Sequence, residues 1–314
     1  MMDMRDVYCQ TLMEMAESDK RIVILEADLM NANGTKPFKA AYPDRTFNVG
    51  VSEADMVGTA SGLAAAGKIP FAASFGCFAS RRVYDQFFLS ANYARLNVNL
   101  VGSDPGVTAL YNGGTHMTFE DAGIMRNIPG LRVLEPSDET SLHQLLPQIA
   151  AWPTSTYMRL HRKGGWKFYD DSETFEIGQG KIVREGSDIT LVSMGMVMLQ
   201  ETLTAADELA KKGIKAEVID ALTLKPLDRE LVLKSARKTG AVVTCENHNI
   251  HNGLGSAVAE VLAEEGVPAR LRRVGCQDKF GEVGTLEYLM EAFELSSPHI
   301  VDAAVGRIGT QHAA

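Results

Sequence analysis

The sequence predicts an α/β protein of two domains, each a mainly parallel sheet with helices on both faces. Short apolar runs alternate with helical patterns through the first half of the 314-residue chain, and this alternation is typical of parallel strands joined by crossover helices. A hydrophilic segment from Arg162 to Gly180 interrupts the pattern, which restarts beyond it. We therefore expect a first domain over residues 1–165, a linker over 166–180 and a second, smaller domain over 181–314.

In the first half, we expect strands where apolar residues run together and helices where they recur every three or four positions. The expected strands are Ile22 to Leu25, Phe47 to Val49, Ile69 to Ala73, Val98 to Val101, Leu131 to Leu134 and Thr156 to Leu160. The expected helices span residues 5–18, 53–66, 80–95, 117–127 and 137–150. A polar loop is expected from Leu29 to Lys36.

The second half repeats the alternation on a smaller scale. The expected strands are Ile182 to Val183, Ile189 to Ser193, Ala216 to Ile219, Ala241 to Cys245 and residues 270–274. The expected helices span residues 197–212, 228–239 and 254–265, followed by a terminal helical region. Gly213 and Gly240 end two of these helices, as glycine commonly does.

Composition and charge exclude several classes of protein. An apolar content of 45% with 23% charged residues is ordinary for a soluble globular chain. The net charge of -9 and the lack of a Lys/Arg cluster argue against nucleic acid as a partner. The four cysteines form no C-x-x-C pair, and we find neither a secretory signal nor an apolar run of membrane-spanning length. We expect a cytoplasmic protein that does not bind membranes.

In open parallel sheets, ligands bind where loops follow the carboxyl ends of the strands. Five loops of the first domain are expected to share this edge of the sheet. They are Glu26 to Asn33, Gly50 to Glu53, Ser74 to Phe78, Gly102 to His116 and His161 to Lys163. The unusual residues of the sequence lie in these loops, so the candidate site belongs there.

Glu53 stands at the start of a helix built mainly from Ala, Val, Gly and Leu. One interpretation is structural: Ser52 caps the helix, Asp55 completes a capping box, and Glu53 adds favourable charge at the positive helix end. The other is functional, with Glu53 as a buried acid that shares a proton with a ligand nitrogen. The residues near Glu53 in sequence leave both interpretations open.

Two further loops contain residues suited to binding a flat ring and a substrate oxygen. Phe75 and Phe78, three apart, can form a stacking wall for a ring, or can simply close the hydrophobic core. The loop Gly102 to His116 is unusually long for a compact α/β domain, which is typical of a functional loop. His116 at its end can contact a substrate hydroxyl, or can act only in packing or capping.

Other motifs are weak signals. Gly253 and Gly255 lack the third glycine of a nucleotide-binding loop, and Cys245, His248 and His251 have a metal-like spacing without a fourth ligand. The chain also has no G-D-G motif followed by Asn, with which thiamin enzymes usually hold Mg²⁺ and diphosphate. No metal site is therefore predicted on this chain.

Several motifs, in the right order, resemble the transketolase family over nearly the whole chain. The runs NVGVSEADMVGTASGLAAAGKIPFAASFGCFASRRVYDQ, NGGTH and EDAGIMRNIPGLRVLEPSD are similar to its pyrimidine-binding domain. The runs KPLD and ENHNIHNGLGSAVAE are similar to its C-terminal domain. The part of an ordinary transketolase that holds the diphosphate and metal is missing, so the chain resembles the C-terminal subunit of a split transketolase.

The resemblance implies a reaction and a set of site residues. Transketolases transfer a two-carbon ketol unit from a ketose phosphate to an aldose phosphate, through an enamine of thiamin diphosphate. Glu53 is expected to hydrogen-bond N1′ of the aminopyrimidine, while Phe75, Phe78 and Arg81 bind the cofactor around it. His116 is expected to contact a hydroxyl or carbonyl oxygen of the substrate.

This chain departs from the family pattern at several residues that contact the sugar substrates. Asn112 stands where most transketolases have the acid that contacts the C2 hydroxyl of the donor. Arg5 and Arg162 match positions that bind substrate phosphate, but a Ser and a His of that phosphate site are replaced by Ala32 and Asp104. A carboxylate near a phosphate repels it. We therefore expect an acceptor that is shorter, differently placed or differently charged than the usual pentose phosphate.

The resemblance also predicts a partner. An N-terminal transketolase subunit is expected to supply the diphosphate and Mg²⁺ ligands, giving an α2β2 assembly that is active only as a complex. The main alternative is the β subunit of a 2-oxoacid dehydrogenase E1 or another thiamin diphosphate carboligase, such as part of a deoxyxylulose-phosphate synthase. A non-catalytic regulatory subunit with the same fold is a third possibility.

Overall fold

Two sheets, one formed mainly by each half of the chain, organise the computed structural model, which describes residues 2–308. The larger sheet has seven strands in the order β10-β5-β6-β4-β3-β1-β2, and the smaller has five in the order β12-β11-β8-β9-β7. The strands are β1 Ile22–Glu26, β2 Thr46–Asn48, β3 Ile69–Phe75, β4 Asn99–Ser103, β5 Arg132–Leu134, β6 Thr156–Leu160, β7 Lys181–Arg184, β8 Ile189–Met194, β9 Ala216–Asp220, β10 Thr223–Lys225, β11 Ala241–Asn249 and β12 Arg270–Cys276.

Helices cover both faces of the sheets. The α-helices are α1 Met4–Ser18, α2 Met30–Asn33, α3 Lys36–Ala41, α4 Glu53–Ala65, α5 Gly76–Ser80, α6 Tyr84–Gln86, α7 Asp121–Arg126, α8 Glu139–Ala151, α9 Met196–Lys211, α10 Arg229–Thr239, α11 Leu254–Glu264, α12 Leu286–Ala292 and α13 Ser297–Ile308. Short 3₁₀ helices span Pro43–Arg45, Arg81–Val83 and Gly106–Asn112, and a π-helix spans Phe87–Tyr93. The predicted class, two α/β domains with mainly parallel sheets, is confirmed.

Strand β1 shows why a buried parallel strand is apolar throughout. Its side chains alternate between the two faces of the sheet. Ile22 and Ile24 pack in the core that contains α1 and α8, whereas Val23 and Leu25 pack with α4 on the other face. Every residue of the strand is buried, so the strand reads as a continuous apolar run in the sequence.

Strand β10 was not predicted, and it joins the second half of the chain to the first sheet. Thr223 pairs with Leu134 and Lys225 with Val133, antiparallel to the rest of that sheet. A three-residue strand has no detectable period, and its partner lies about ninety residues away in sequence. The other antiparallel pair is β7 with β9, at the edge of the smaller sheet.

Three local predictions were wrong. The helix expected over residues 80–95 is broken into α5, a 3₁₀ turn, α6 and the π-helix. The helix expected over 117–127 is confined to α7, and the loop expected from Leu29 to Lys36 contains α2. Each difference lies in a segment that follows a strand of the first sheet, where contacts between distant segments override local preference.

Residues 166–180 pack against both halves of the protein. The Asp138 carboxylate accepts the backbone N–H groups of Phe168 and Tyr169 at 3.1 and 3.0 Å. The Tyr169 hydroxyl donates to Asp220 at 2.8 Å, and Phe175 is buried. The segment is hydrophilic in composition, but its aromatic residues fix it in place.

Candidate active site

Glu53 begins helix α4 immediately after a turn in which Gly50 has φ +75°. Its carboxylate is only 2% exposed and accepts a hydrogen bond from Arg82 Nη1 at 2.9 Å. The Ser74 hydroxyl, at the end of β3, donates to the other carboxylate oxygen over a longer 3.4 Å. Ser52 occupies the N-cap position, but its side chain makes no capping hydrogen bond, so the predicted cap and capping box are wrong.

Phe75, Phe78 and His116 form a cluster of rings. The ring centroids of Phe75 and Phe78 are 6.3 Å apart, and His116 lies 5.8 and 5.1 Å from them, edge-on to both. All three side chains are half-buried, so part of each ring remains open to a ligand. The guanidinium of Arg82 lies 3.9 Å above Phe78, which brings the cluster next to the Glu53 carboxylate.

The structure separates the two neighbouring arginines of this segment. Arg81 pairs with Glu120 at 2.6 Å, away from Glu53, whereas Arg82 makes both the carboxylate and the ring contact. Sequence reasoning chose Arg81 and missed Arg82. Both arginines lie in the 3₁₀ turn Arg81–Val83, which interrupts the helix that the sequence predicted over residues 80–95.

A second group of predicted residues lies on the other side of Phe75. Arg162 lies 4.8 Å above the Phe75 ring, and its guanidinium pairs with Asp104, with Nε at 2.7 Å from Oδ2. Both side chains are almost fully buried. Arg5 and Arg162 converge on the carbonyl oxygen of Ala32, at 3.4 and 3.0 Å. Asp104 thus neutralises the guanidinium that lies above Phe75.

A cavity of about 490 Å³ adjoins this ion pair. It is lined by Asp104, Arg162, Lys163, Tyr111 and Asn112, among other residues. The side chain of Asn112 is exposed at its rim. Contacts between neighbouring residues thus connect Glu53 through the rings to this cavity, and Arg81 lines a different cavity together with Gly114 and Met117.

The loop between β4 and α7 carries Asn112 and His116 and contains unusual backbone. Asp104 and Leu110 have φ values of 51° and 50°, a region that costs non-glycine residues of order 1–3 kcal/mol each. Such strain persists only where surrounding contacts hold the chain. Oγ1 of Thr115 lies 3.0 Å from Nδ1 of His116, so this ring nitrogen has a partner within the loop.

Sequence reasoning also missed a buried carboxyl group, Glu26, at the end of β1. Asn33 and Thr35 donate hydrogen bonds to it at 2.8 and 2.6 Å. Burial raises the pKa of Glu26 to about 7, although these two hydrogen bonds oppose the rise. The Ser103 hydroxyl contacts both Asn33 and the carbonyl oxygen of Ser74. The one sign of Glu26 in the sequence was its place, as an acidic residue directly after the apolar run Ile22 to Leu25.

Within residues 2–308, no group of three or more His, Cys, Asp or Glu side chains is placed to hold a metal ion. The spacing of Cys245, His248 and His251 does not assemble a site, because His248 Nε2 accepts the backbone N–H of Gly123 at 3.1 Å. No helix in the same range is both long and apolar enough to cross a membrane.

Two family models match the chain. Residues 1–165 match the pyrimidine binding domain of transketolase, and residues 178–300 match the transketolase C-terminal domain. The chain belongs to the transketolase family. These two matches confirm the resemblance that the sequence motifs indicated.

Relatives of this transketolase-family chain include subunits of split enzymes. A 6-deoxy-6-sulfo-D-fructose transketolase subunit, SqwH, from Clostridium sp. (strain MSTE9) is 53% identical over 96% of this chain and 93% of its own length. A putative transketolase C-terminal section from Methanocaldococcus jannaschii is 39% identical over 95% and 93%. The 1-deoxy-D-xylulose-5-phosphate synthase of Heliobacterium modesticaldum is 36% identical, but the match covers 46% of that protein.

Solved structures agree with this placement in the transketolase family. A structure described as a split gene transketolase, inactive beta4 tetramer, has a TM-score of 0.91 and 38% identity, covering 98% of this chain and 99% of that one. The transketolase of Campylobacter jejuni shares the fold with a TM-score of 0.80 at 18% identity, over 96% of this chain and 46% of its own. The predicted resemblance to the C-terminal subunit of a split transketolase is confirmed.

Proposed function

We propose that this chain is the catalytic C-terminal subunit of a two-chain transketolase and transfers a two-carbon ketol unit from a ketose to an aldose. The observation that carries the proposal is the buried carboxylate of Glu53 beside the Phe75, Phe78 and His116 rings. It lies in a chain that the two transketolase family models match over most of its length.

The residues around Glu53 fit the aminopyrimidine of thiamin diphosphate. One carboxylate oxygen has only the 3.4 Å contact with Ser74, so it retains capacity to share a proton with a ring nitrogen. The half-buried Phe75 and Phe78 rings offer apolar surface for a flat heterocycle. When bound, thiamin diphosphate supplies the electron sink for cleavage of a carbon–carbon bond beside a ketose carbonyl.

The chain's own residues then divide the remaining tasks. Glu53 holds a proton at the pyrimidine nitrogen, and Phe75 and Phe78 orient the ring. His116 Nε2 and the Asn112 amide donate hydrogen bonds to substrate oxygens, while Arg5, Arg162 and Asp104 contact the distal end of the sugar. Arg82 contacts Glu53 directly, so we add it to the predicted Arg81 as an arginine next to the cofactor.

We propose that the donor ketose carries a sulfonate. The supporting fact is the 53% identity to a subunit named for 6-deoxy-6-sulfo-D-fructose. The buried Asp104–Arg162 pair, together with Asn112 and Ala32, departs from the pattern expected for ordinary sugar phosphates. Asp104 repels a sulfonate, which carries one negative charge, less than it repels a phosphate, which carries nearly two.

An N-terminal transketolase subunit is proposed to supply the diphosphate and Mg²⁺ ligands, and the two chains to assemble as α2β2. The match to split subunits along nearly their whole length supports this division of the enzyme. A cytoplasmic location is part of the proposal, because all four cysteines are free and buried, as suits a reducing compartment.

The test is a product assay on the chain with and without the transketolase N-terminal subunit of the same organism. Donors are 6-deoxy-6-sulfo-D-fructose, fructose 6-phosphate and xylulose 5-phosphate, with glyceraldehyde 3-phosphate or ribose 5-phosphate as acceptor. We expect two-carbon transfer only with both chains present, and the highest kcat/KM with the sulfonated donor.

Pyruvate is the discriminating control, because both E1-type enzymes and deoxyxylulose-phosphate synthases release CO₂ from it. Release of CO₂ from pyruvate, without two-carbon transfer from any ketose donor, would replace the transketolase proposal with one of these alternatives. Transfer from xylulose 5-phosphate but not from the sulfonated donor would leave the reaction type intact and refute the substrate.

A further inference from the structure

The ENHN motif at the end of β11 is bonded to the loop that carries the substrate residues. Asn247 is 2% exposed, and both the oxygen and the nitrogen of its side-chain amide form hydrogen bonds with this loop. Its Oδ1 accepts the backbone N–H of Val107 at 2.9 Å, and its Nδ2 donates to the carbonyl oxygen of Pro105 at 2.9 Å. A residue of the C-terminal domain therefore holds the base of the loop from both sides.

Gly106 lies between these two contacts and makes them possible. Its φ is +56°, which favours glycine. A Cβ atom at this position would overlap Oδ1 of Asn247. The backbone N–H of Gly106 also donates to the carbonyl oxygen of Thr118 at 2.8 Å, so the loop closes on itself at the point where Asn247 meets it.

The neighbours of Asn247 strengthen this connection. His248 accepts the N–H of Gly123, and the backbone N–H of Asn249 donates to the carbonyl oxygen of Phe119 at 2.7 Å. The carbonyl oxygen of Asn247 accepts from Arg159 Nη2 at 2.8 Å. Arg159 is fully buried and paired with Asp121 and Glu135, which fixes the backbone of Asn247.

The tip of the same loop also meets the C-terminal domain. A Cβ atom at Gly114 would overlap the carbonyl oxygen of Gly281, and one at Gly113 would lie 2.8 Å from Val283. Asn112 and His116 flank these two glycines. The loop is therefore held at its base by Asn247 and at its tip by the segment around Gly281.

We propose that Asn247 is a positioning residue: it fixes the loop that presents Asn112 and His116, so the C-terminal domain controls the substrate half of the site. Glu53, Phe75 and Phe78 belong to α4, β3 and α5 instead, and none of the three bonds to Asn247. Of the loop residues that the structure describes, only His116 has a ring contact with Phe75 and Phe78, so we expect the cofactor half of the site to change much less than the substrate half. Displacing a reacting or contacting group by about 1 Å costs roughly 100-fold in rate. The kinetic part of this inference rests on the proposed function.

The test compares Asn247→Ala with the wild type and with Asn249→Ala. The control residue is of the same type and in the same strand, but its side chain bonds to Asp278 at the surface, while its backbone makes the interdomain contact. Hydrogen–deuterium exchange of the full chain is expected to speed up by about tenfold or more over residues 104–116 in Asn247→Ala only, because two hydrogen bonds to the loop are lost.

In the complex with the N-terminal subunit, Asn247→Ala is expected to lower kcat/KM for the ketose by about 10- to 100-fold. The Kd of thiamin diphosphate is expected to stay within twofold. Unchanged exchange over residues 104–116, or cofactor affinity that falls in parallel with kcat/KM, would overturn the proposal.

A second variant, Gly106→Ala, approaches the contact from the loop. It should lower kcat/KM for the ketose and leave the Kd of thiamin diphosphate unchanged, as Asn247→Ala does. The loss of kcat/KM caused by Gly106→Ala should be smaller in the Asn247→Ala background, where the overlap is relieved. Losses of kcat/KM that are strictly additive in the double variant would also overturn the proposal. If the wild-type complex transfers no two-carbon unit, the proposed function fails, and the exchange experiment still decides whether Asn247 holds the loop.

Discussion

Glu53 is the residue on which the proposed chemistry depends, and its surroundings show what the sequence could reveal about it. An acid at the start of an apolar helix could be noticed, as could Phe75 and Phe78 three residues apart. Arg82 could not be chosen over Arg81, because both lie in a 3₁₀ turn that interrupts the predicted helix. The hydrogen-bond partners of the buried Glu26 were equally hidden, since Asn33 and Thr35 lie in a segment expected to be a plain loop.

Substitution of Glu53 by Gln keeps the size of the side chain but removes its ability to accept and return a proton. In the two-chain complex we expect kcat to fall by about 100-fold or more, in the range that general acid–base groups contribute. Steady-state two-carbon transfer measures the effect, and sedimentation or native mass checks that the complex still assembles.

The matched control is Asp55→Asn, two residues further along α4. Asp55 is exposed and carries the same charge in the same helical turn, so its replacement should change kcat by less than about twofold. Equal losses in the two variants, or a fully active Glu53→Gln complex, would assign Glu53 a structural role and favour the regulatory-subunit alternative.

At the scale of elements, the buried strands were predictable and the carboxyl edge of the first sheet was not. Strands β1, β3, β4 and β6 are buried along nearly their whole length, so their apolar runs were clear in the sequence. The π-helix Phe87–Tyr93 and the packed segment 166–180 depend on contacts between distant parts of the chain. Patterns of residue type within a short stretch of sequence do not indicate such contacts.

The carboxyl end of β1 gives a prediction about pH. Burial raises the pKa of Glu26 from an ordinary 4.5 to about 7. A raised pKa means that the folded protein binds the proton more tightly than the unfolded chain does. Protonated Glu26 therefore makes its full contribution to the free energy of unfolding below about pH 4.5. This contribution is lost as the pH rises through 7. The full loss is about 3 kcal/mol, from 1.36 kcal/mol per pKa unit.

Glu26→Gln removes this titration, so we expect Tm to decline less between pH 5 and pH 8 in the variant than in the wild type. The control is Glu17→Gln, which removes the same charge from an exposed position on α1. Thermal unfolding followed by circular dichroism at several pH values provides the comparison. If Tm declined as steeply with pH in the Glu26→Gln variant as in the wild type, Glu26 would not be the cause of the pH dependence.

At the scale of the whole molecule, the two domains are more closely joined than the sequence indicated. β10 adds residues of the second half to the first sheet, and Asn247 reaches into the loop that bears Asn112 and His116. Composition and alternation revealed two α/β units, but neither contact has a local signature. The motif ENHN was visible in the sequence, yet only the fold shows that it meets the substrate loop.

The division of the active site between two chains is the central claim, and cofactor binding tests it most directly. Thiamin diphosphate with Mg²⁺ is titrated calorimetrically into this chain alone, into the N-terminal subunit alone and into their complex. We expect tight binding only in the complex, because this chain offers the pyrimidine half of the site and its partner the diphosphate half. Tight, magnesium-dependent binding of thiamin diphosphate to this chain alone would contradict the claim.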